Sequence, residues 1–274
     1  MKRLLFILTA IFFANAVFAA RVDTLKVYSE AMKKDITCLF ISPEGYKQPK
    51  EKKHYPTVYL LHGYTGDARR TLRLDIPDLK AQADALQMII VLADGGYDSW
   101  YFDSQLNEKI RYESFITKEL VQFTDKTYPT IADRTKRAIY GWSMGGHGAL
   151  YLAIRHKELY GAAGSICGAV DFRAATKGYG IEKNLGDYSG HEKSWEAHTV
   201  TYNVNTLKNQ ELKLIIDCGL QDPLLEVNRA LHQKLIDLKI DHDYIERPGV
   251  HDNTYWSKAS TFQLLFIHNY FSQS

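Results

Sequence analysis

Arg137-Ala138-Ile139-Tyr140-Gly141-Trp142-Ser143-Met144-Gly145-Gly146 decides how the rest of the chain is read. Its first part is short and mostly apolar, as a buried strand requires. A helical run from Gly148 to Ile154 follows at once. Between them, Gly141 to Gly145 matches G-x-S-x-G, a turn that projects a serine from the end of a sheet. The match alone is weak, because ordinary glycine and serine frequencies yield about 0.1 chance hits in such a chain. The strand–serine–helix setting strengthens it. The serine must hold a strained backbone conformation, and glycines two residues before and after let strand and helix approach without Cβ clashes. The helix N-terminus then places backbone N–H groups, Met144 first, beside the hydroxyl. A phosphate-binding reading is poor, because G-x-x-x-x-G-K-[ST] is absent.

The flanking sequence repeats the pattern. Thr57 to Leu61, Met88 to Leu92, Ala138 to Trp142, Gly164 to Cys167 and Leu212 to Ile216 are nearly continuous apolar runs. Such runs suit strands covered on both faces, as in a parallel sheet. Helical patterns are expected at Ile76 to Leu86, Ile110 to Phe123, Leu150 to Leu159, Leu224 to Leu238 and Tyr255 to Phe271. The alternation predicts an α/β fold, a doubly wound, mostly parallel sheet with helices on both faces. Asp35 to Ile41 and the stretch before it alternate as a hairpin turning near Ala31 to Lys34 would, and are expected to pair antiparallel at one edge. The lysine-rich stretch from Pro43 to Pro56 reads as a loop. Residues 171–206 break the alternation with Gly178, Gly180, Gly186, Gly190, Trp195 and several tyrosines. This insertion is either a lid or pocket wall, or a surface excursion with short helices.

Composition narrows the class. The 274 residues are 45% apolar and 24% charged, which fits a globular chain rather than a disordered one. Lys2 and Arg3 precede an apolar run from Leu4 to Phe13, and small residues lead to Val17-Phe18-Ala19-Ala20. That order reads as an export signal, with Ala19 or Ala20 the last residue lost, followed by one domain over residues 21–274. The protein is expected to be periplasmic or secreted, with no membrane attachment after cleavage. Removing the signal leaves 32 basic and 32 acidic residues. No basic stripe stands out, so nucleic acid is not an expected partner. Cys38, Cys167 and Cys218 form no C-x-x-C pair, and they read as buried apolar side chains without a disulfide. No metal or organic cofactor is expected, and the oligomeric state is not legible.

A serine on such a turn needs a base, an acid and donors for the developing oxyanion. The usual chain order is serine, acid, histidine. Asp217 and Asp222 both follow the Leu212 strand; Asp222, in the loop beyond the strand end, is preferred, with Asp217 bracing the loop. Among the later histidines, His232 and His268 fall in helical patterns and His242 begins the last strand, Asp243 to Glu246. His251 follows Pro248-Gly249-Val250, after that strand, where the order puts the base. Leu60-Leu61-His62-Gly63-Tyr64 ends an earlier strand and supplies the second oxyanion donor: Tyr64 N–H, with Gly63 next in line and expected to contact substrate. His62 precedes the serine and is expected to hold this loop by hydrogen bonds.

Tyr59 to Gly63, Ser99-Trp100-Tyr101, Gly141 to Gly146, Asp217-Cys218-Gly219 with Asp222, and Gly249-Val250-His251 with Trp256 together resemble the esterase D-like family of α/β-hydrolases. That family includes S-formylglutathione hydrolases, feruloyl and acetyl-xylan esterases and mycolyltransferases. The resemblance spans Val22 to Phe271. It implies an α/β-hydrolase fold, a Ser143–His251–Asp222 triad, and Tyr64 and Met144 N–H groups as the oxyanion hole. Trp100, Tyr101 and Trp142 are either an aromatic wall for an aryl acyl group or sugar, or core packing. The expected activity is hydrolysis of short-chain acyl, feruloyl or acetyl esters of plant polysaccharide side chains, through an acyl-enzyme. The alternatives are an acyltransferase using an alcohol acceptor and a non-catalytic carbohydrate-binding protein on the same fold.

Overall fold

A computed structural model describes residues 20–45, 53–175 and 177–273. The segment read as an export signal, apart from Ala20, lies outside the described residues, as does the middle of the lysine-rich stretch. Among the described residues the strands are β1 (Arg21–Ser29), β2 (Lys34–Ser42), β3 (Thr57–Leu61), β4 (Ile89–Ala93), β5 (Arg137–Trp142), β6 (Ala162–Ile166), β7 (Lys213–Gly219) and β8 (Asp243–Arg247). They form one sheet in the order β1-β2-β4-β3-β5-β6-β7-β8. β4-β3-β5-β6-β7-β8 run parallel. The β1–β2 hairpin closes one edge, with β2 antiparallel to β4.

The continuous apolar runs follow from two cores, one on each face. Successive strand side chains point to opposite faces. In β3, Tyr59 and Leu61 enter one core while Val58 and Leu60 enter the other. In β5, Ile139 faces the first core and Ala138 and Tyr140 the second. The helix Met144–Arg155 packs in the first and the C-terminal helix Asn253–Gln273 in the second. β5 is buried along its whole length, whereas β8, at the far edge, is only half-buried.

Some boundaries differ from the sequence reading. The Ile76 helix begins only at Leu79. Ile76 precedes Pro77 and is held out of the helical region at φ −142° and ψ 75°, because the proline ring disfavours helical backbone there. A helical turn not foreseen from the sequence, Ala68–Arg70 continuing into the π-type Thr71–Asp75, lies before it. Asp67 starts this turn by accepting hydrogen bonds from the Arg69 and Arg70 N–H groups, both at 2.8 Å. The Ile110 helix begins at Tyr112, runs to Thr127 and contains a π-type section, Phe115–Leu120.

The central helix and the insertion are joined by a buried histidine. His147 N–H donates to the Ser143 carbonyl at 3.0 Å, one turn after the serine. Its ring stacks on Tyr151 with centroids 5.5 Å apart, and Nε2 donates to the His198 carbonyl at 2.8 Å. Burial drives its pKa down to about 4, below the ordinary 6.5.

Two consequences are measurable. A Cβ at Gly145 would lie 2.1 Å from the Leu61 carbonyl oxygen, a backbone atom that cannot swing away. Gly145→Ala should therefore destabilise the fold by about 3 kcal/mol, seen as a lowered denaturation midpoint. The unfolded chain takes up a proton near pH 6.5 that folded His147 refuses until about pH 4. Stability contributed by neutral His147 is therefore lost as pH falls through this window, on the order of 3 kcal/mol in all. Denaturant titrations should show this slope, and His147→Gln should flatten it.

Candidate active site

Ser143 sits between β5 and the central helix with φ 56° and ψ −121°. This conformation is costly for a residue with a side chain, and surrounding bonds hold it. Its N–H donates to the Ile166 carbonyl at 3.0 Å, while its carbonyl accepts from His147 and from Ala169 at 3.2 Å. Close backbone approach needs the flanking glycines: a Cβ at Gly141 would lie 2.5 Å from the Gly145 carbonyl oxygen. The side chain is thereby turned out of the sheet toward the loops at its carboxyl end.

Two loops at that end bring Asp222 and His251 to Ser143. His251 Nε2 lies 3.0 Å from Ser143 Oγ, and His251 Nδ1 lies 2.7 Å from Asp222 Oδ2. The Leu224 N–H holds the other Asp222 oxygen at 2.8 Å. Burial, the largest influence on Asp222, raises its carboxyl pKa. The hydrogen bonds from His251, the Cys167 thiol and Leu224, with the charge of His251, outweigh it and hold the group below the ordinary carboxylate value. Asp217 instead takes Arg247 and the Tyr255 hydroxyl, the latter at 2.5 Å, tying the end of β8 to the C-terminal helix around the His251 loop.

Cys167, Asp222 and His251 each bring one potential metal ligand to within 4.8 Å of the others. The Asp222 and His251 atoms in that cluster already bond one another. Among the described cysteines all three are free and buried.

The two backbone N–H groups singled out in the sequence, at Tyr64 and Met144, have no hydrogen-bond acceptor among the described residues. Gly63 presses against the serine: a Cβ there would lie 3.2 Å from Ser143 Cβ and 2.9 Å from Trp142 Nε1. His62 fixes this loop. Gly95 N–H donates to His62 Nε2 at 2.7 Å, so the ring proton sits on Nδ1, which donates to the Gly63 carbonyl at 2.8 Å.

A cavity of about 470 Å³ opens over Ser143 and His251, with Gly63, Tyr64, Trp100, Trp142 and Met144 in its walls. Tyr101 requires a correction, for it contributes nothing to that wall. Trp100 and Tyr101 both have positive φ, 56° and 61°, and only Trp100 reaches the cavity. Tyr101 is wedged against Gly95 and Gly148, and its hydroxyl donates to the His62 carbonyl at 2.9 Å. It braces the oxyanion loop from the core side. The insertion supplies part of the cavity wall through Asp171, Phe172 and Tyr179, and the Trp100 indole donates to the Tyr179 carbonyl at 2.9 Å. Arg70, Asp75 and Phe172 also line the cavity but were not singled out in the sequence. No motif surrounds them, and the unforeseen turn at Ala68–Asp75 brings two of them there.

Sheet order, serine turn and converging loops define the class: an α/β-hydrolase. Residues 29–266 match the family model Esterase, and the chain belongs to that esterase family and is a carboxylic-ester hydrolase. The resemblance to the esterase D-like family is borne out. The acetyl esterase of Caldicellulosiruptor saccharolyticus is 27% identical over 261 residues, covering 87% of this chain and 96% of that one. The S-formylglutathione hydrolase of Bos taurus is 32% identical over 129 residues, 46% of this chain and 43% of its own. A solved ferulic acid esterase superposes with a TM-score of 0.80 at 25% identity, covering 92% of this chain and 99% of its own.

The two aspartates separate experimentally. Asp222→Asn should lower kcat by about 10⁴-fold with the fold retained, because the amide cannot stabilise an imidazolium. Asp217→Asn should instead destabilise the fold by about 3 kcal/mol, seen as a lowered denaturation midpoint, as it breaks the pair between buried Asp217 and partly buried Arg247. Steady-state kinetics and denaturant melts on the two variants check this.

Proposed function

We propose that the protein is an exported serine esterase that removes short-chain acyl, acetyl or feruloyl groups from plant polysaccharide side chains through an acyl-enzyme. One observation carries the chemistry: Ser143 Oγ, His251 and Asp222 stand in an unbroken hydrogen-bonded line, 3.0 Å and then 2.7 Å, at the floor of a cavity. Ser143 attacks the ester carbonyl while His251 Nε2 takes its proton. Asp222 stabilises the imidazolium through Nδ1. The free N–H groups of Tyr64 and Met144 receive the oxyanion. His251 then returns the proton to the leaving alkoxide, and water, activated by the same nitrogen, releases the acid.

The substrate class draws support from the names of similar proteins, an acetyl esterase and a ferulic acid esterase, and from the aromatic rings of Trp100 and Trp142 in the cavity. Export draws support from the basic, apolar, small-residue order of the first twenty residues. A mature protein recovered from outside the cytoplasm should begin at Ala20 or Arg21 when sequenced from its N-terminus.

The test is a panel of 4-nitrophenyl acyl esters beside acetylated and feruloylated xylan fragments. Turnover should be found on the fragments, and Ser143→Ala should lower it by about 10³-fold or more. A fluorophosphonate probe should label the wild type and leave that variant unlabelled. Undiminished esterase activity in the variant would refute the assignment.

A further inference from the structure

We propose that Arg70, Asp75 and Trp256 form a subsite for the alcohol half of the ester, and that this half is a polyol such as a sugar. The inference rests on acyl transfer from Ser143 and adds which residues read the leaving group.

Proton return to the leaving alkoxide comes from His251 Nε2, so the alcohol must lie on the histidine side of the serine. Two elements meet there. The Trp256 ring stands edge-on to His251 with centroids 5.2 Å apart, and it stacks on Trp142 at 5.8 Å. The Asn253 amide, two residues beyond His251, donates to the Leu74 carbonyl at 3.3 Å. That bond fastens the Thr71–Asp75 turn to the histidine loop. Arg70 and Asp75, at the two ends of this turn, both line the cavity.

The polar groups of this corner are poorly satisfied by the protein itself. The Asp75 side chain is 2% exposed, yet among the described residues it has one partner, Arg70 Nε at 3.4 Å. The two terminal nitrogens of Arg70 have no partner among the described residues, and its side chain is 45% exposed. Trp256, half-buried, lines the same cavity, and its Nε1 has no partner among the described residues. Buried polar atoms in folded proteins are nearly always hydrogen-bonded, so the under-bonded Asp75 carboxylate, which lines the cavity beside the serine, calls for a ligand.

The chemistry of the set selects that ligand. Asp75 offers an acceptor and Arg70 offers donors, while Trp256 offers ring surface. A lone carboxylate would suit Arg70 but be repelled by Asp75, and an alkyl alcohol would offer neither of the two a partner. Neighbouring hydroxyls donate and accept at once, and the Trp256 ring, backed by buried Trp142, presents an aromatic surface to the C–H face of a sugar ring. Phe172 and Trp100, packed edge to face at 5.2 Å on the insertion side, offer apolar surface to the acyl half.

The experiment compares one acyl group carried on methanol with the same group carried on a xylose oligosaccharide. For the wild type, kcat/KM should be higher on the sugar ester. Arg70→Ala and Asp75→Ala should lower kcat/KM on the sugar ester by about 10- to 100-fold, the loss of a hydrogen bond to a charged group. The methyl ester should change by less than about threefold. Asp75→Asn, which keeps an acceptor, should recover part of the loss. If Asp75→Ala fails to fold, the half-exposed Arg70 carries the test. Free xylose oligosaccharide should inhibit methyl-ester turnover by the wild type, and about tenfold less well in Arg70→Ala. Equal losses on both esters, or an unchanged sugar ester, would overturn the subsite. Continued Ser143-dependent turnover of the methyl ester would show that acyl transfer itself still stands.

Discussion

The site depends on one backbone conformation, the positive φ of Ser143 at the junction of β5 and the central helix. An L-residue does not hold that conformation unaided. It persists because strand, helix and the end of β3 crowd together at Gly141 and Gly145, where a side chain would strike backbone carbonyls. The Ile166 carbonyl and the Ala169 N–H then fix the serine peptide from the neighbouring strand side. Relaxing this junction would turn the hydroxyl away from the base and shift the Met144 N–H with it.

A second layer of residues holds the loops that meet the serine. His62, with a single proton between two backbone partners, shapes the Gly63–Tyr64 turn. Tyr101 supports the same turn from beneath through the His62 carbonyl. Asp217 performs the corresponding service for the histidine loop by gathering Arg247 and Tyr255. Of these three, only Tyr101 was expected to face substrate, and its burial reassigns it. These side chains resemble catalytic residues in type while acting on the backbone.

Much of this was legible in the residues. The apolar runs of β3 to β7 revealed buried parallel strands because each feeds both cores. Ser143, Asp222 and His251 stood out because a turn motif and chain order restrict where such groups occur, and the structure brings them together. The illegible parts have physical reasons. Trp100 and Tyr101 are adjacent aromatics, and only their unusual backbone angles decide which one faces the cavity. The π-type turn at Thr71–Asp75 has no hydrophobic period to announce it, so nothing in the sequence singles out Arg70 and Asp75. His147 falls between the serine turn and the helical run from Gly148, and its bond to the insertion depends on a carbonyl 51 positions away.

The half-buried edge strand β8 has a bearing on endurance. Ser143 follows a fully buried central strand, whereas His251 hangs from a loop beyond this looser margin. Margins fray at lower free energy than centres do. Heating should therefore silence the enzyme while most of its secondary structure survives, and its working lifetime would be governed by the fastening of one loop.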